Sequence, residues 1–141
     1  MSTVFFARET LPRMQKTSTI TSSAVKQPVD RLLLSNSIRA AVTGLARTLA
    51  NEYASDGLTV NNVCPSYTRT ARLDGLASSI SARTGSKPEE VFAHWERKIP
   101  AGRLGTPKEF AAVVAFLASE HASYVNGVSI AVGGGLVRSL L

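Results

Sequence analysis

Pro28-Val-Asp-Arg-Leu-Leu-Leu-Ser35-Asn-Ser-Ile-Arg39-Ala-Ala-Val-Thr-Gly44-Leu-Ala-Arg-Thr-Leu-Ala50-Asn-Glu-Tyr53 is the stretch whose reading decides the fold. Ile38, Val42, Leu45, Leu49 and Tyr53 recur at helical spacing, which predicts one long helix preceded by a short entry loop. Ala41, Gly44 and Thr48 make a second face of small residues, on which another element can approach closely. The pattern therefore predicts a core helix covered on two sides. Asp56-Gly57 ends it, because glycine enters the left-handed cap conformation without a Cβ clash. Chemistry carried by the chain is expected at the first turns of this helix.

Outward from that helix, β-rich segments lie on both sides. Thr17-Ser-Thr-Ile-Thr21 runs into Ser22-Ser23, and Leu58-Thr-Val-Asn-Asn-Val63 is stopped by Pro65. Val128-Ser-Ile-Ala-Val132 follows an Asn126-Gly127 turn and ends in Gly133-Gly-Gly135. Ser2-Thr3 can cap a first helix carrying Val4, Phe5, Phe6 and Leu11, ended near Met14 by Pro12. Residues 66–100 read as an irregular insertion with one short helix over about 72–82 and another starting near Pro88. Glu89 and Glu90 stand in the first turn of that second helix and Arg97-Lys98 in its last, matching the helix dipole at both ends. Thr106-Pro107-Lys108-Glu109 is a capping box with proline at the first helical position, followed by the stripe Phe110, Val113, Val114 and Leu117. Strands alternating with long helices predict right-handed crossovers and an α/β fold with a mainly parallel sheet. Ligands of such sheets bind beyond the carboxyl ends of the strands, here Ser22-Ser23, Pro65-Ser66-Tyr67-Thr68 and Gly133–Gly135.

With 141 residues and 44% hydrophobic content, residues 1–141 are expected to form a single domain with a real core. The longest apolar run, Ala111 to Ala118, is far short of the roughly 18 residues a membrane span needs. No basic region followed by an apolar stretch opens the sequence, so the expected location is cytoplasmic, with no membrane partner. One cysteine, Cys64, excludes an internal disulfide and a cysteine-rich metal site, and is expected to be a small buried apolar residue. The net charge is +6, but the basic residues of the first forty positions are dispersed singly, without interleaved aromatics. A solvated basic face is the expectation, with no nucleic acid as partner.

Several segments together resemble the short-chain dehydrogenase/reductase family. They are Leu11-Pro-Arg-Met14, Ile20-Thr-Ser-Ser23, Gly44-Leu-Ala-Arg-Thr-Leu-Ala50-Asn-Glu52, Val60-Asn61 through Pro65 to Thr70, Ile99-Pro-Ala-Gly-Arg-Leu-Gly-Thr-Pro107, and Phe116-Leu-Ala-Ser119 followed by Gly127. They agree with that family in order and spacing, and correspond to its C-terminal half. The implied fold is a partial Rossmann-like, doubly wound parallel sheet of about three strands with flanking helices. The implied activity is NAD- or NADP-dependent oxidation and reduction of a carbonyl/hydroxyl substrate.

In that family a serine at a strand end orients the substrate carbonyl, and a tyrosine on the next helix acts as general acid. A lysine four residues further on lowers the tyrosine pKa and holds the nicotinamide ribose. Residues i and i+4 stack on one helix face, so the cation can stabilise the phenolate. Ser23 matches the strand-end serine, with Ser22 as its close rival. Aligned through Ala40-Ala-Val42, the tyrosine position is Ser35 and the lysine position is Arg39. An aliphatic hydroxyl is a far weaker acid than a phenol, and arginine is never deprotonated. Ser35 is thus a poor proton donor, whereas Arg39 can still hydrogen-bond a ribose or a carboxylate. A purely structural alternative makes Ser35 the helix N-cap and Arg39 a solvated first-turn cation.

Pro65-Ser66-Tyr67-Thr68-Arg69-Thr70 occupies the family's proline-glycine loop against the nicotinamide. By resemblance Thr70 contacts the carboxamide through its side chain and Thr68 through its backbone. Ser66 stands where the family has glycine and adds a Cβ. The glycine-rich turn that would receive a dinucleotide pyrophosphate is absent from the sequence, and so is a match to the family's active-site asparagine. Trp95, Phe92 and Tyr67 are expected in the core or in a hydrophobic substrate pocket. His94 is expected to pack or face solvent, and His121 is likewise isolated. These readings predict an oxidoreductase half-domain, inactive alone, that forms a homo-oligomer or associates with full-length relatives. The alternative is a non-catalytic binding or assembly subunit.

Overall fold

A computed structural model describes residues 16–140, so the helix expected over residues 2–14 lies outside the described residues. The chain is built on β2 (Thr59–Pro65), which pairs in parallel with β1 (Lys16–Ile20) on one side and β3 (Ser129–Val132) on the other. Thr17 lies opposite Val60, and Val63 opposite Ile130. Every residue of β2 from Thr59 to Cys64 is buried, as expected of a parallel strand covered on both faces. Two asparagines survive there because both are paired. Asn61 donates to the Val125 carbonyl at 2.8 Å and accepts from the Val128 amide, while Asn62 donates to the Ser129 hydroxyl. The three-stranded parallel α/β sheet is the one the sequence predicts.

The crossover from β1 to β2 is α1 (Leu33–Glu52). It buries Ala46 and Ala50 against Leu58 and Val60, with Leu49 and Tyr53 packed alongside. Here the structure corrects the sequence reading. Ile38 is 63% exposed, and Ala41, Gly44 and Thr48 all face outward, so among the described residues this helix is covered on one side only. The physical reason is proximity. A helix lying close on a strand needs alanine at the contact line, so the larger side chains of the same apolar pattern are displaced to the flanks and the far side. Ser35 is not the N-cap either; that position is Leu32, whose side chain makes no capping bond, and Asn36 closes the entry loop by donating to the Val29 carbonyl. The helix gives way to a 3-10 turn, Ala54–Asp56, closed by Gly57 at φ +76°.

After β2 come α2 (Ala71–Thr84) and α3 (Pro88–Lys98), both close to their expected bounds. They enclose a second core of Ala77, Val91, Trp95, Ile99 and Leu104. Tyr67 stacks on Trp95 at 5.1 Å and Phe92 meets the same ring edge-on, so these aromatics are core. The last helix, α4 (Pro107–Ala118), sets Leu117 against Val63 and Ala122. Gly134, at φ +58°, lets the end of β3 meet the turn after α3, where the Ala101 amide donates to its carbonyl. A Cβ there would fall 2.7 Å from the Ile99 side chain. Cys64 is fully buried, as expected. No helix among the described residues is long and apolar enough to cross a membrane.

The capping box of α4 is present as the sequence predicts. The Thr106 hydroxyl accepts from the Glu109 amide, and the Glu109 carboxylate accepts from the Thr106 amide at 2.8 Å. A fork from Arg103 also binds that carboxylate, at 2.5 and 3.0 Å. Arg103 first, then the two Thr106 donors, hold the Glu109 pKa down to about 2 from 4.5. A carboxylate with a depressed folded pKa stabilises above its unfolded value, and that stabilisation fades as pH falls through the folded one. Thr106→Ala should cost about 1 kcal/mol in urea unfolding. Acidification from about pH 4.5 to 2 should fray α4, and Glu109→Gln should abolish that component of the pH dependence.

Candidate active site

At the carboxyl ends of β1 and β2 the chain leaves a cleft of about 350 Å³. Thr21 and Ser22 form one wall, continuing from β1. The opposite wall is Pro65 and Ser66 with Thr68 and Thr70, on the loop between β2 and α2. Arg39 enters from α1, and Arg72, Leu73 and Leu76 come from the first turns of α2.

Arg39 is the residue that ties these walls together. Its Nη1 donates to the Thr21 carbonyl at 2.7 Å and its Nε to the Ser35 hydroxyl at 3.2 Å. Arg39 is therefore a half-buried group fixed across the strand end rather than a solvated cation. Ser35 stands one turn before it, as the i, i+4 spacing requires, but is not part of the cleft lining and only accepts a hydrogen bond from Arg39. Beside them the Thr21 hydroxyl meets the Cys64 thiol at 3.1 Å, which occupies that thiol.

The two strand-end serines are placed differently. Ser22 lines the cleft, whereas Ser23 opens the 3-10 turn Ser23–Val25 and lies outside it. Ser22 caps that turn through its hydroxyl, which accepts from the Ala24 amide. Which of two adjacent serines faces the cleft depends on where the strand breaks into a turn, a one-residue matter that the sequence does not encode.

The Pro65–Thr70 loop is pinned at both ends. The Ser66 amide donates to the Val132 carbonyl, and the Arg69 amide and Tyr67 carbonyl bond Gly105 on the neighbouring loop. Pro65, Ser66, Thr68 and Thr70 all line the cleft. The Ser66 Cβ is accommodated by β3 rather than by the cleft: its buried Oγ has no hydrogen-bond partner and lies where a side chain at Gly133 would be. Thr70 occupies the N-cap position of α2, but its hydroxyl makes no capping bond and stays available. Arg69 is engaged elsewhere, lying 4.0 Å over the Phe92 ring and paired with Asp74 at 2.6 Å.

None of the three tyrosines lines this cleft. Tyr67, the one on the loop, faces a separate cavity of about 220 Å³, and burial raises its pKa, which makes it a weaker acid. His94 is exposed in a hollow between α2 and α3, away from the cleft. Of the candidates from sequence, the cleft gathers Arg39, Pro65, Ser66, Thr68 and Thr70 and omits Ser23 and Ser35. Sequence reasoning missed Arg72, Leu73 and Leu76. Their signal was position: they follow Thr70 on the first turns of a helix that begins at the cleft.

The family model described as enoyl-(acyl carrier protein) reductase matches residues 1–137. The oxidoreductase UcpA of Salmonella typhimurium is 34% identical over 123 residues, covering 87% of this chain and 45% of that protein. Among solved structures, L-sorbose reductase of Gluconobacter frateurii, complexed with NADPH and L-sorbose, is 27% identical with a TM-score of 0.88; the match covers 97% of this chain and 54% of that one. An NADPH-bound short chain oxidoreductase of Pseudomonas aeruginosa with an atypical catalytic center is 29% identical with a TM-score of 0.81, covering 96% and 53%. The chain thus spans about half the length of the relatives it matches.

The Ser66–Gly133 contact is open to a direct check. A Cβ added at Gly133 would lie 2.5 Å from the Ser66 Cβ, which is backbone-anchored and cannot swing away. Gly133→Ala should therefore lower the unfolding free energy by about 1–3 kcal/mol. Combining it with Ser66→Gly should restore most of the loss in the same denaturation assay.

Proposed function

The chain belongs to the short-chain dehydrogenase/reductase family, and on that premise we propose that its cleft is the substrate and nicotinamide side of an NAD(P)-dependent carbonyl/alcohol oxidoreductase. In this reading residues 1–141 supply the C-terminal half of the family's Rossmann domain and transfer no hydride on their own. The observation that carries it is the Ser35–Arg39 pair. It keeps the helical spacing and the position of the family's acid and cation, but offers no phenol, and no other tyrosine reaches the cleft.

The residues present suit the nicotinamide end of a dinucleotide. Thr70 offers an unused hydroxyl, Thr68 a backbone edge, and Arg39 several N–H donors that a ribose can accept. When bound, the cofactor would supply a hydride. The protein's part is then to hold the carbonyl near Ser22, to exclude water with Leu73 and Leu76, and to deliver a proton. Ser35 is ill suited to the last task, because the pKa of an aliphatic hydroxyl lies far above that of a phenol. The described residues hold no glycine-rich turn for the pyrophosphate, which would have to come from elsewhere.

The test is direct. The purified 141-residue chain, offered NADPH or NADH with a panel of ketones, should leave the reduced-nicotinamide absorbance unchanged. Cofactor oxidation that is lost on Ser35→Ala or Arg39→Ala would overturn the reading.

A second reading, a non-catalytic assembly subunit, is favoured by the outer face of α1. Leu34 is 74% exposed and Ile38 63%, and Ile20 at the end of the outer strand β1 is bare as well. Apolar surface of this kind, beside a strand with one unpaired edge among the described residues, is a surface for association with a second copy or a full-length relative. Size-exclusion chromatography with light scattering should show a dimer or larger species. Ile38→Glu should shift it to monomer; a monomeric wild-type chain that also ignores relatives would count against this reading.

A further inference from the structure

The turn that leads into β3 carries a chemistry the cleft does not use. Asn126 is the one asparagine in the sequence followed by glycine. With no side chain on the next residue, that backbone nitrogen reaches the asparagine Cγ unhindered, so an Asn-Gly pair is the most prone to close into a cyclic imide.

The fold demands both residues. Asn126 is a pin with two ends: its Oδ1 accepts from the Val60 amide at 2.8 Å and its Nδ2 donates to the Ala50 carbonyl at 2.9 Å. The second bond caps a carbonyl in the last turn of α1, one of those a helix leaves without an internal partner. Gly127 stands at φ +70°, and a Cβ there would fall 2.7 Å from the Arg47 guanidinium. Two local requirements of the fold therefore meet in one labile dipeptide.

The same geometry keeps the pair from reacting. The Gly127 N–H, whose nitrogen would attack, donates to the Val60 carbonyl at 2.9 Å. The Nδ2 that would leave is held by Ala50, and the Gly127 carbonyl accepts from Arg47 Nη1 at 2.7 Å. Val60 is 2% exposed and bonds the turn through both its N–H and its C=O, so the reacting groups are released only when the turn lifts off β2.

We propose that Asn126 is a site of spontaneous deamidation gated by this turn: closed, it is protected; lifted from β2, it converts and cannot close again as before. In the open turn the deprotonated Gly127 nitrogen forms a bond to the Asn126 Cγ, and Nδ2 leaves as ammonia. Water then opens the imide at either carbonyl, leaving aspartate or a β-linked isoaspartate. Neither product fits. A carboxylate has only acceptors to set against the Ala50 carbonyl, at the negative end of α1. Isoaspartate also lengthens the main chain by a methylene just before Val128, whose carbonyl accepts from the Asn62 amide and whose amide donates to the Asn61 side chain. The conversion is thus one-way and loosens β3, which anchors the Ser66 amide at Val132.

The experiment ages the full 141-residue chain at mildly alkaline pH, folded and in urea, and follows the imide and its aspartate products by peptide mass mapping. Asn126 should convert first among the asparagines in urea, and at least about tenfold more slowly in the folded chain. Hydrogen exchange at the Gly127 N–H reads the opening itself, because the same group must be freed for exchange and for attack. Arg47→Ala removes the clamp on the Gly127 carbonyl from an exposed position, and should raise both rates by the same factor, about tenfold. Asn126→Asp, which installs one product directly, should lower the urea midpoint by clearly more than Asn51→Asp, which adds the same charge at an exposed position of the same helix end. Equal conversion in folded and unfolded chains, an Arg47→Ala chain that exchanges faster without converting faster, or an Asn126→Asp midpoint no lower than that of Asn51→Asp would each overturn the proposal. If Asn126→Asp fails to fold, the paired rates of wild type and Arg47→Ala decide alone.

Discussion

The burial of β2 is the constraint on which the rest of the structure depends. Six consecutive buried residues sit between two parallel neighbours, so every backbone group there must be satisfied within the sheet and every side chain must find a partner above or below it. The asparagines meet this condition by reaching out of the strand. Asn61 holds the 125–128 segment, and Asn126 answers by accepting from the Val60 amide and donating to the Ala50 carbonyl. One side-chain network therefore fixes the register of β3 and the end of α1 together. The cleft lies at the carboxyl end of that same strand, so its geometry inherits this rigidity.

Much of this architecture was legible because it rests on local rules. The β2 segment is a β-rich run closed by proline, the Thr106 box has the spacing that two reciprocal bonds demand, and Gly57 sits where only a left-handed residue ends the turn. The face of α1 was not legible. Its sequence has apolar residues on more than one side, and periodicity weighs Ile38 and Ala46 alike as members of a stripe. Only the partner surface decides between them: Leu58 and Val60 come close enough to admit alanine and exclude isoleucine. The site followed the same division. Loop residues in a fixed order, Pro65 to Thr70, were found as a unit, while the choice between Ser22 and Ser23 turned on the residue at which β1 gives way to a 3-10 turn.

Ser66 and Gly133 show how a local substitution is absorbed at a distance. A Cβ at position 66 would intrude wherever close backbone approach is needed, and here the space is provided by Gly133, just past the end of β3. The loop can thus keep its course along the cleft, and its anchors to Val132 and Gly105 stay in place. The fit between Ser66 and Gly133 joins two segments far apart in sequence, so neither reveals it alone.

Position 39 follows a different logic. A lysine in the family arrangement acts by stabilising a neighbouring phenolate, a function that has no object when the neighbour is serine. The guanidinium instead bridges α1 to the Thr21 carbonyl, closing the end of β1 to which Ser22 belongs. Replacing an ammonium by a planar fork converts a tunable point charge into a fixed, permanently cationic strut. The element that identifies the family thus carries, in its first two turns, a cation that ties the end of β1 to α1 and lines the cleft.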